Sequence, residues 1–109
     1  EMAAVFVPML VPMLNDMYFK VRGSACGAIA GLSPVEQAAE TLQLLAPMLQ
    51  DSSFVVRFEA CIAVGFASTP RTMEDAVQLL EPLLQDRVAG MRAEAERALF
   101  HVRAAGARG

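Results

Sequence analysis

Side chains suited to acid–base or metal chemistry are few in this sequence. His101 is the one histidine, and it follows Arg97 by four residues on a predicted helix that also carries Glu94. A metal site or a catalytic triad needs two or three such groups at matched spacing, and no such set can be assembled here. We therefore predict a polar surface patch around His101, with no enzyme activity, no catalytic residue, no metal ion and no cofactor.

Three aspartates and three arginines belong instead to a pattern that repeats every 35 residues, the step from Pro12 to Pro47 and from Pro47 to Pro82. The positions that keep this step are Pro12, Pro47 and Pro82; Asp16, Asp51 and Asp86; Arg22, Arg57 and Arg92; Ala25, Ala60 and Ala95; and Ala28, Ala63 and Ala98. Repetition at a fixed period of this size is typical of a stack of similar units. The elements that carry these residues are therefore copies of one another.

Each unit is predicted to be a hairpin of two helices. Apolar residues recur at helical spacing, and no strand pattern occurs. We predict units at about 1–32, 33–67 and 68–102, with a frayed tail at 103–109. In the first unit we expect helices over 2–14 and 18–32, the second with Val21, Ala25, Ala28, Ile29 and Leu32 buried. The second helices of the later units are expected to bury Val56, Ala60, Ala63 and Val64, and Met91, Ala95, Ala98, Leu99 and Val102. Ser33 is expected to cap the second unit, in a capping box with Glu36.

The repeated residues have structural explanations. Proline inside the first helix of each unit costs about 3 kcal/mol, so its threefold use indicates a bend that follows the curve of the stack. The aspartate is expected to cap the following helix. The arginine is expected to reach the turn aspartate of its own or the neighbouring unit; a row of arginines that binds carboxylate or phosphate is the alternative.

Two features of the second helices leave alternatives open. Gly23, Gly27 and Gly31 are four residues apart, which fits tight packing against the next helix or a groove for a partner's backbone. Cys26 and Cys61 share one repeat position, and equivalent positions in stacked helices lie roughly 8–10 Å apart. That exceeds the limit of about 7 Å for a disulfide, so we expect free thiols and an intracellular, cytoplasmic protein.

Composition excludes other classes of partner. The net charge is −3 and the pI about 5.0, whereas nucleic-acid binding requires a basic surface. Although 55% of the residues are hydrophobic, no apolar run approaches the roughly 20 residues of a membrane span. We predict neither a nucleic acid nor a membrane as partner. The chain opens on Glu1 without an initiator Met, and we expect a fragment of a longer solenoid.

The pattern resembles the HEAT repeat, most clearly in Pro47, Asp51, Val56-Arg57, Ala60 and Ala63. The resemblance covers about residues 1–102; the Gly/Ala-rich segment 23–32 is also similar to proteasome/cyclosome-type repeats, but the Asp and Val-Arg spacing fits HEAT better. Met91 in place of Val, the additional Pro8 and the glycines of the first unit depart from the pattern. The resemblance implies an all-α solenoid of three antiparallel hairpins, with the second helices on the concave side and a scaffold or adaptor function.

Two surfaces could bind a partner. One is the second-helix column whose predicted partner-binding residues are Phe58, Glu59, Ile62, Phe66, Glu94, Arg97 and His101. Apolar anchors surrounded by charge are typical of a peptide-binding groove, although these side chains could instead pack between the hairpins. The other is the first helix, where Val5, Pro8 and Val11 make an apolar outer face. We expect it to be covered by preceding repeats or by self-association into a homo-oligomer.

We conclude from the sequence that the chain is a protein-binding scaffold or adaptor module. A rival hypothesis is an accessory domain of an enzyme or lyase that holds a small ligand or cofactor on its concave face.

Overall fold

The computed structural model describes residues 2–108 and, from Val5 onward, their side chains. The α-helices are α1 (Met2–Leu10), α2 (Phe19–Leu32), α3 (Ala38–Leu45), α4 (Phe54–Ala67), α5 (Met73–Leu80) and α6 (Ala89–Arg108). Residues 2–108 contain no strand. The predicted all-α architecture of three helical hairpins is confirmed.

The second helices form a continuous layer, because α2 packs against α4 and α4 packs against α6. The first helices α1, α3 and α5 each pack on the second helix of their own hairpin. Each unit thus contacts its neighbours in sequence, as expected for a stack of repeats. The central helix α4 is covered on both sides, and its Val56, Ala60 and Val64 have no exposed surface.

The core runs through all three units as one cluster. Its largest fully buried side chains are Ile29, Leu45, Val56, Val64, Leu80, Met91 and Val102. Burying one such side chain contributes about 1.5–3 kcal/mol. The buried residues of α4 and α6 follow the spacing that the sequence predicts.

The repeated prolines do not bend a continuous α-helix. In each unit the α-helix changes to a 3-10 helix one residue before the proline, over Val11–Asn15, Ala46–Gln50 and Glu81–Gln85. Proline therefore occupies the start of a new segment, where its missing N–H removes no bond. The expected kink in a helix over 2–14 is replaced by this change of helix type at Val11.

The start of the second unit also differs from the prediction. Ser33 does not cap the first helix of the second unit; it is the C-cap of α2, and its hydroxyl donates to the carbonyl of Ile29 at 2.7 Å. No capping box forms with Glu36, because the N-cap of the 3-10 turn over Val35–Gln37 is Pro34, whose side chain cannot accept a hydrogen bond. In the third unit, Thr69 and Thr72 do form a capping box, and the Thr69 N–H donates to the Thr72 hydroxyl at 2.8 Å.

Three side chains predicted to be buried in the first unit are partly exposed. Val21 and Ala28 are half-buried, and Leu32 is exposed. The residues at the positions of Val21 and Ala28 in the third unit, Met91 and Ala98, are buried. The difference arises because α4 covers the equivalent face of α6, whereas the corresponding face of α2 lies at the N-terminal end of the stack.

The last helix continues to Arg108 instead of ending near Arg103. Gly106 lies so close to Met73 that an added Cβ would overlap its sulfur. The last turns of α6 are therefore packed against the start of α5, and residues 104–108, which we expected to fray, are helical.

Candidate functional site

The turn aspartates each accept a hydrogen bond from the residue that immediately precedes the second helix, which is not the side-chain N-cap that the sequence predicts. Oδ1 of Asp16 accepts a hydrogen bond from the N–H of Tyr18, two residues on, at 2.9 Å. Asp51 and Asp86 accept the equivalent bonds from the N–H groups of Ser53 and Val88, also at 2.9 Å. Each aspartate thereby closes the turn that leads into the second helix.

The arginines join each unit to the turn of the next. Arg22 donates from Nε and Nη2 to both carboxylate oxygens of Asp51, at 2.8 and 2.9 Å. Arg57 makes the same fork with Asp86, at 2.9 and 3.3 Å. The remaining nitrogen, Nη1, binds the carbonyl of the unit's own aspartate. Two of the three repeated arginines are thus occupied by protein carboxylates, which favours the structural explanation over an anion-binding row.

The pairs Arg22–Asp51 and Arg57–Asp86, together called the Asp–Arg ladder, change the pKa of their carboxyl groups. The hydrogen bond from Arg22 is the largest influence on Asp51 and lowers the pKa of its carboxyl below the usual value. Burial is the largest influence on Asp86 and would raise its pKa. The N–H of Val88 and the Arg57 guanidinium outweigh that effect, so the pKa of Asp86 is also lowered.

A groove of about 400 Å³ lies between α4 and α6. Its lining residues are Ile62, Gly65, Phe66, Ser68, Glu94, Arg97, Ala98, His101, Ala105 and Arg108. Ile62 and Phe66 remain 39% and 72% exposed. Nε of Arg97 lies 3.4 Å from Oε1 of Glu94, a loose contact that leaves the Arg97 side chain two-thirds exposed. The groove has an apolar side on α4 and a charged side on α6.

The structure brings together five of the seven predicted partner-binding residues: Ile62, Phe66, Glu94, Arg97 and His101. Phe58 is half-buried against the core, with its ring 5.8 Å from that of Phe54. Glu59 points toward α2, where an added Cβ on Gly23 would lie 3.3 Å from its Cγ. Neither Phe58 nor Glu59 lines the groove, since Phe58 packs on the core and Glu59 lies against α2.

Sequence reasoning missed Arg108, which lines the same groove. The tail was expected to fray, so its residues were not assigned to a helical face. The signal was available, since Arg97, His101 and Arg108 follow the four- and seven-residue spacing of one helix face.

The three glycines of α2 differ in their surroundings. Gly23 is buried against α4, so its missing side chain permits close packing. Gly27 and Gly31 are exposed, and an added Cβ would meet nothing within 4 Å at either position. Packing therefore explains one of the three glycines.

The first helix presents its apolar residues differently from the prediction. Val5 and Pro8 are exposed on the outer side, but Val11 is half-buried and packs on the core. Phe6, Met9 and Met13 are also exposed. Their equivalents in the third unit, Ala76, Leu79 and Leu83, are buried or half-buried in the stack.

Both cysteines are free and buried. Burial, and secondarily the charge of Glu59, raises the pKa of Cys26 to about 11. Burial, and secondarily the charge of Glu94, raises the pKa of Cys61 to about 12. The part of the chain that the structure describes holds no cluster of three His, Cys, Asp or Glu side chains that could bind a metal ion.

None of the described helices combines the length and apolar character that a membrane span requires.

Stacked helical hairpins joined by an Asp–Arg ladder define a helical-repeat protein. A family model of HEAT repeats matches residues 7–99. The chain therefore belongs to the HEAT-repeat family, whose members are commonly protein-interaction scaffolds.

Among solved structures, the chain is similar to an engineered protein whose crystal structure comes from the Northeast Structural Genomics Consortium. The two share 25% sequence identity with a TM-score of 0.69, over 92% of this chain and 46% of the engineered one. This chain thus spans less than half the length of that protein. A comparison with curated proteins gave no match.

Proposed function

We propose that this chain is a non-catalytic scaffold or adaptor module that binds a protein partner through the groove between α4 and α6. The observation that carries the proposal is the exposure of Ile62 and Phe66, four residues apart on α4, beside charged residues of α6. Apolar anchors next to a charged rim are what protein interfaces use for affinity and specificity.

The charges of the groove indicate the chemistry of the partner. Arg97 and Arg108 outnumber Glu94 on the α6 side. A segment with an apolar side chain for Phe66 and a carboxylate for Arg97 or Arg108 complements both sides. The whole chain carries a net charge of −3, so the basic groove is a local exception on an acidic protein. Its excess of basic residues would select acidic segments over other surfaces of the same partner.

Selection from a displayed peptide library on the immobilised protein, followed by titration of a selected peptide by fluorescence anisotropy, tests the proposal. Phe66→Asp is expected to raise the dissociation constant more than about tenfold, since it removes a central apolar anchor. Phe100→Asp is the matched control: Phe100 is an equally exposed aromatic residue at 73%, but it lies outside the groove. Equal affinity for the Phe66 variant and the wild type would contradict the proposal.

A different measurement distinguishes our proposal from the rival hypothesis, a domain that holds a small ligand or cofactor. It requires a bound mass or chromophore in the purified protein, visible by native mass spectrometry or by absorbance. Our proposal expects the mass of the chain alone and binding that depends on Phe66.

A further inference from the structure

Glu94 differs from the other charged residues of the groove between α4 and α6. Its side chain is only 10% exposed, whereas that of Arg97, three residues later on the same helix, is 66% exposed. The two meet through one contact of 3.4 Å from Arg97 Nε to Glu94 Oε1, which is long for a charge-assisted hydrogen bond. Within residues 2–108, the carboxylate has no other hydrogen bond or ion pair. A nearly buried charge therefore has a single weak partner.

The carboxylate of Glu94 lies in the groove on the side of α4. Glu94 is among the residues that line the groove. Burial first, and then the charge of Glu94, raises the pKa of the Cys61 thiol on α4, which indicates that the carboxylate is near that helix. One turn further along, α4 and α6 approach closely, since an added Cβ on Gly65 would lie 3.6 Å from the Cβ of Ala98. The acid therefore lies beside the narrow part of the groove.

Glu59 occupies the same repeat position on α4, 35 residues before Glu94. It is half-buried and lies against Gly23 of α2. It does not line the groove between α4 and α6. The two acids thus share their residue type and their place in the unit, but only Glu94 lies next to the exposed apolar residues Ile62 and Phe66.

A carboxylate in this position favours a positively charged group from outside the chain. Withdrawing a charge from water is costly unless a partner compensates it, and the loose contact with Arg97 compensates little. A lysine or arginine of a bound segment would form closer bonds to Glu94. Arg97 would then be released to bind a carboxylate of the same segment, so two intermolecular ion pairs would replace one weak internal contact.

We propose that Glu94 selects partner segments that carry a lysine or arginine near the large apolar residue that packs on Phe66. This inference rests on the proposed function and specifies the partner that the groove accepts. The basic residue pairs with Glu94, and the acidic residue already assigned to the partner pairs with Arg97.

The repeat sets the spacing of these residues in the partner. Phe66 shares its repeat position with His101, which lies seven residues after Glu94. At 1.5 Å per residue, Glu94 and Phe66 are therefore roughly 10 Å apart along the helices. An extended segment rises about 3.3 Å per residue and covers this distance in about three residues. Arg97 lies between the two levels, so the expected order is basic, acidic, apolar.

Selection from a displayed random peptide library on the immobilised full chain tests this order. Peptides that bind the wild type in a Phe66-dependent manner are expected to share the basic, acidic and apolar residues. The same selection on Glu94→Gln is expected to keep the apolar residue and to lose the basic one. Glutamine has the size of glutamate, so folding is expected to survive and is checked by circular dichroism.

A pair of synthetic peptides separates recognition of charge from a structural effect. One is a selected peptide, and the other has norleucine in place of its basic residue. By fluorescence anisotropy, Glu94→Gln is expected to raise the dissociation constant of the first about tenfold, since a nearly buried charge loses its partner. The second should change less than about twofold. Glu59→Gln is the matched control: it removes the same charge outside the groove, where about 0.15 M salt screens it, and should leave both constants within about twofold.

Three results would overturn this inference and leave the proposed function intact: Phe66-dependent peptides without enrichment of basic residues, equal losses of affinity for the two peptides in Glu94→Gln, or equal effects of Glu94→Gln and Glu59→Gln. A selection that returns no Phe66-dependent peptide would overturn the proposed function and this inference with it.

Discussion

Replacing Arg57 with Met should destabilise the protein far more than the same replacement at the equivalent positions. The Arg57 and Asp86 side chains are only 7% and 8% exposed. Without Arg57, the carboxylate of Asp86 stays buried with the Val88 N–H as its remaining hydrogen-bond donor. Two short bonds, to Asp86 at 2.9 Å and to the Asp51 carbonyl at 2.8 Å, are lost. Hydrogen bonds to charged groups contribute about 1.5–3 kcal/mol each, and breaking a buried pair costs about 3–5 kcal/mol. We therefore expect Arg57→Met to lower the free energy of unfolding by about 3–5 kcal/mol.

Urea unfolding followed by far-ultraviolet circular dichroism measures this loss of stability, provided that the slope of the unfolding free energy against urea concentration is the same for each variant. Arg92→Met is the matched control, because Arg92 is exposed and binds one carbonyl without a carboxylate partner. Arg22→Met should lie between the two, since its pair with Asp51 is more exposed, at 17% and 10%. Equal losses for the three variants would refute a cost that depends on burial.

A double variant separates charge from packing. Asp86→Asn keeps an oxygen that can accept from the Val88 N–H but removes the charge. Added to Arg57→Met, it should therefore restore part of the lost stability. A double variant no more stable than Arg57→Met would show that the loss comes from packing and not from an unpaired carboxylate.

Three further predictions concern the ladder, the glycines and the thiols. Because the pKa values of Asp51 and Asp86 are lowered in the folded state, their contribution to stability is present above about pH 4 and lost as the pH falls through the folded values. Acid unfolding followed by circular dichroism should shift to higher pH with Asp51→Asn, and an unchanged midpoint would contradict this. Gly27→Ala should stabilise α2 by about 1 kcal/mol in thermal or urea unfolding, whereas Gly23→Ala should gain less or lose stability because its Cβ crowds α4; equal gains would be evidence against close packing at Gly23. Since burial raises the pKa of Cys61 to about 12, a chromogenic disulfide reagent should modify it only as the protein unfolds, and rapid labelling of the native protein would contradict that burial.

The repeat determined more of this structure than any single motif. Its 35-residue step predicted the number of hairpins and, together with the helical spacing of apolar residues, the buried positions of α4, because each unit repeats one local solution to helix packing. The burial that the repeat predicted for the first unit was partly wrong. Val21 and Ala28 have the residue types of a buried face, but burial depends on what another unit places against them, and at the N-terminal end α2 has no such cover within residues 2–108.

Local sequence was also ambiguous at the prolines. A proline inside an apolar helical pattern is compatible with a bend or with a new segment, and the structure shows the second, a change to a 3-10 helix at Val11, Ala46 and Glu81. The sequence predicted some of the residues that line the candidate groove. The spacing of Ile62 and Phe66 placed both on one face of α4, whereas the inward packing of Phe58 depends on contacts with other elements that sequence spacing does not contain.

The sequence by itself determined the class of fold and the residues that define each unit, since helical periodicity and turn chemistry are local. Only the tertiary structure decided that Arg57 pairs with the carboxylate of the next unit's aspartate and contacts only the backbone carbonyl of its own, that Gly23 is packed while Gly27 is open, and that Arg108 completes the groove. Each of these depends on the distance between atoms of different helices, which the stacking of the units sets.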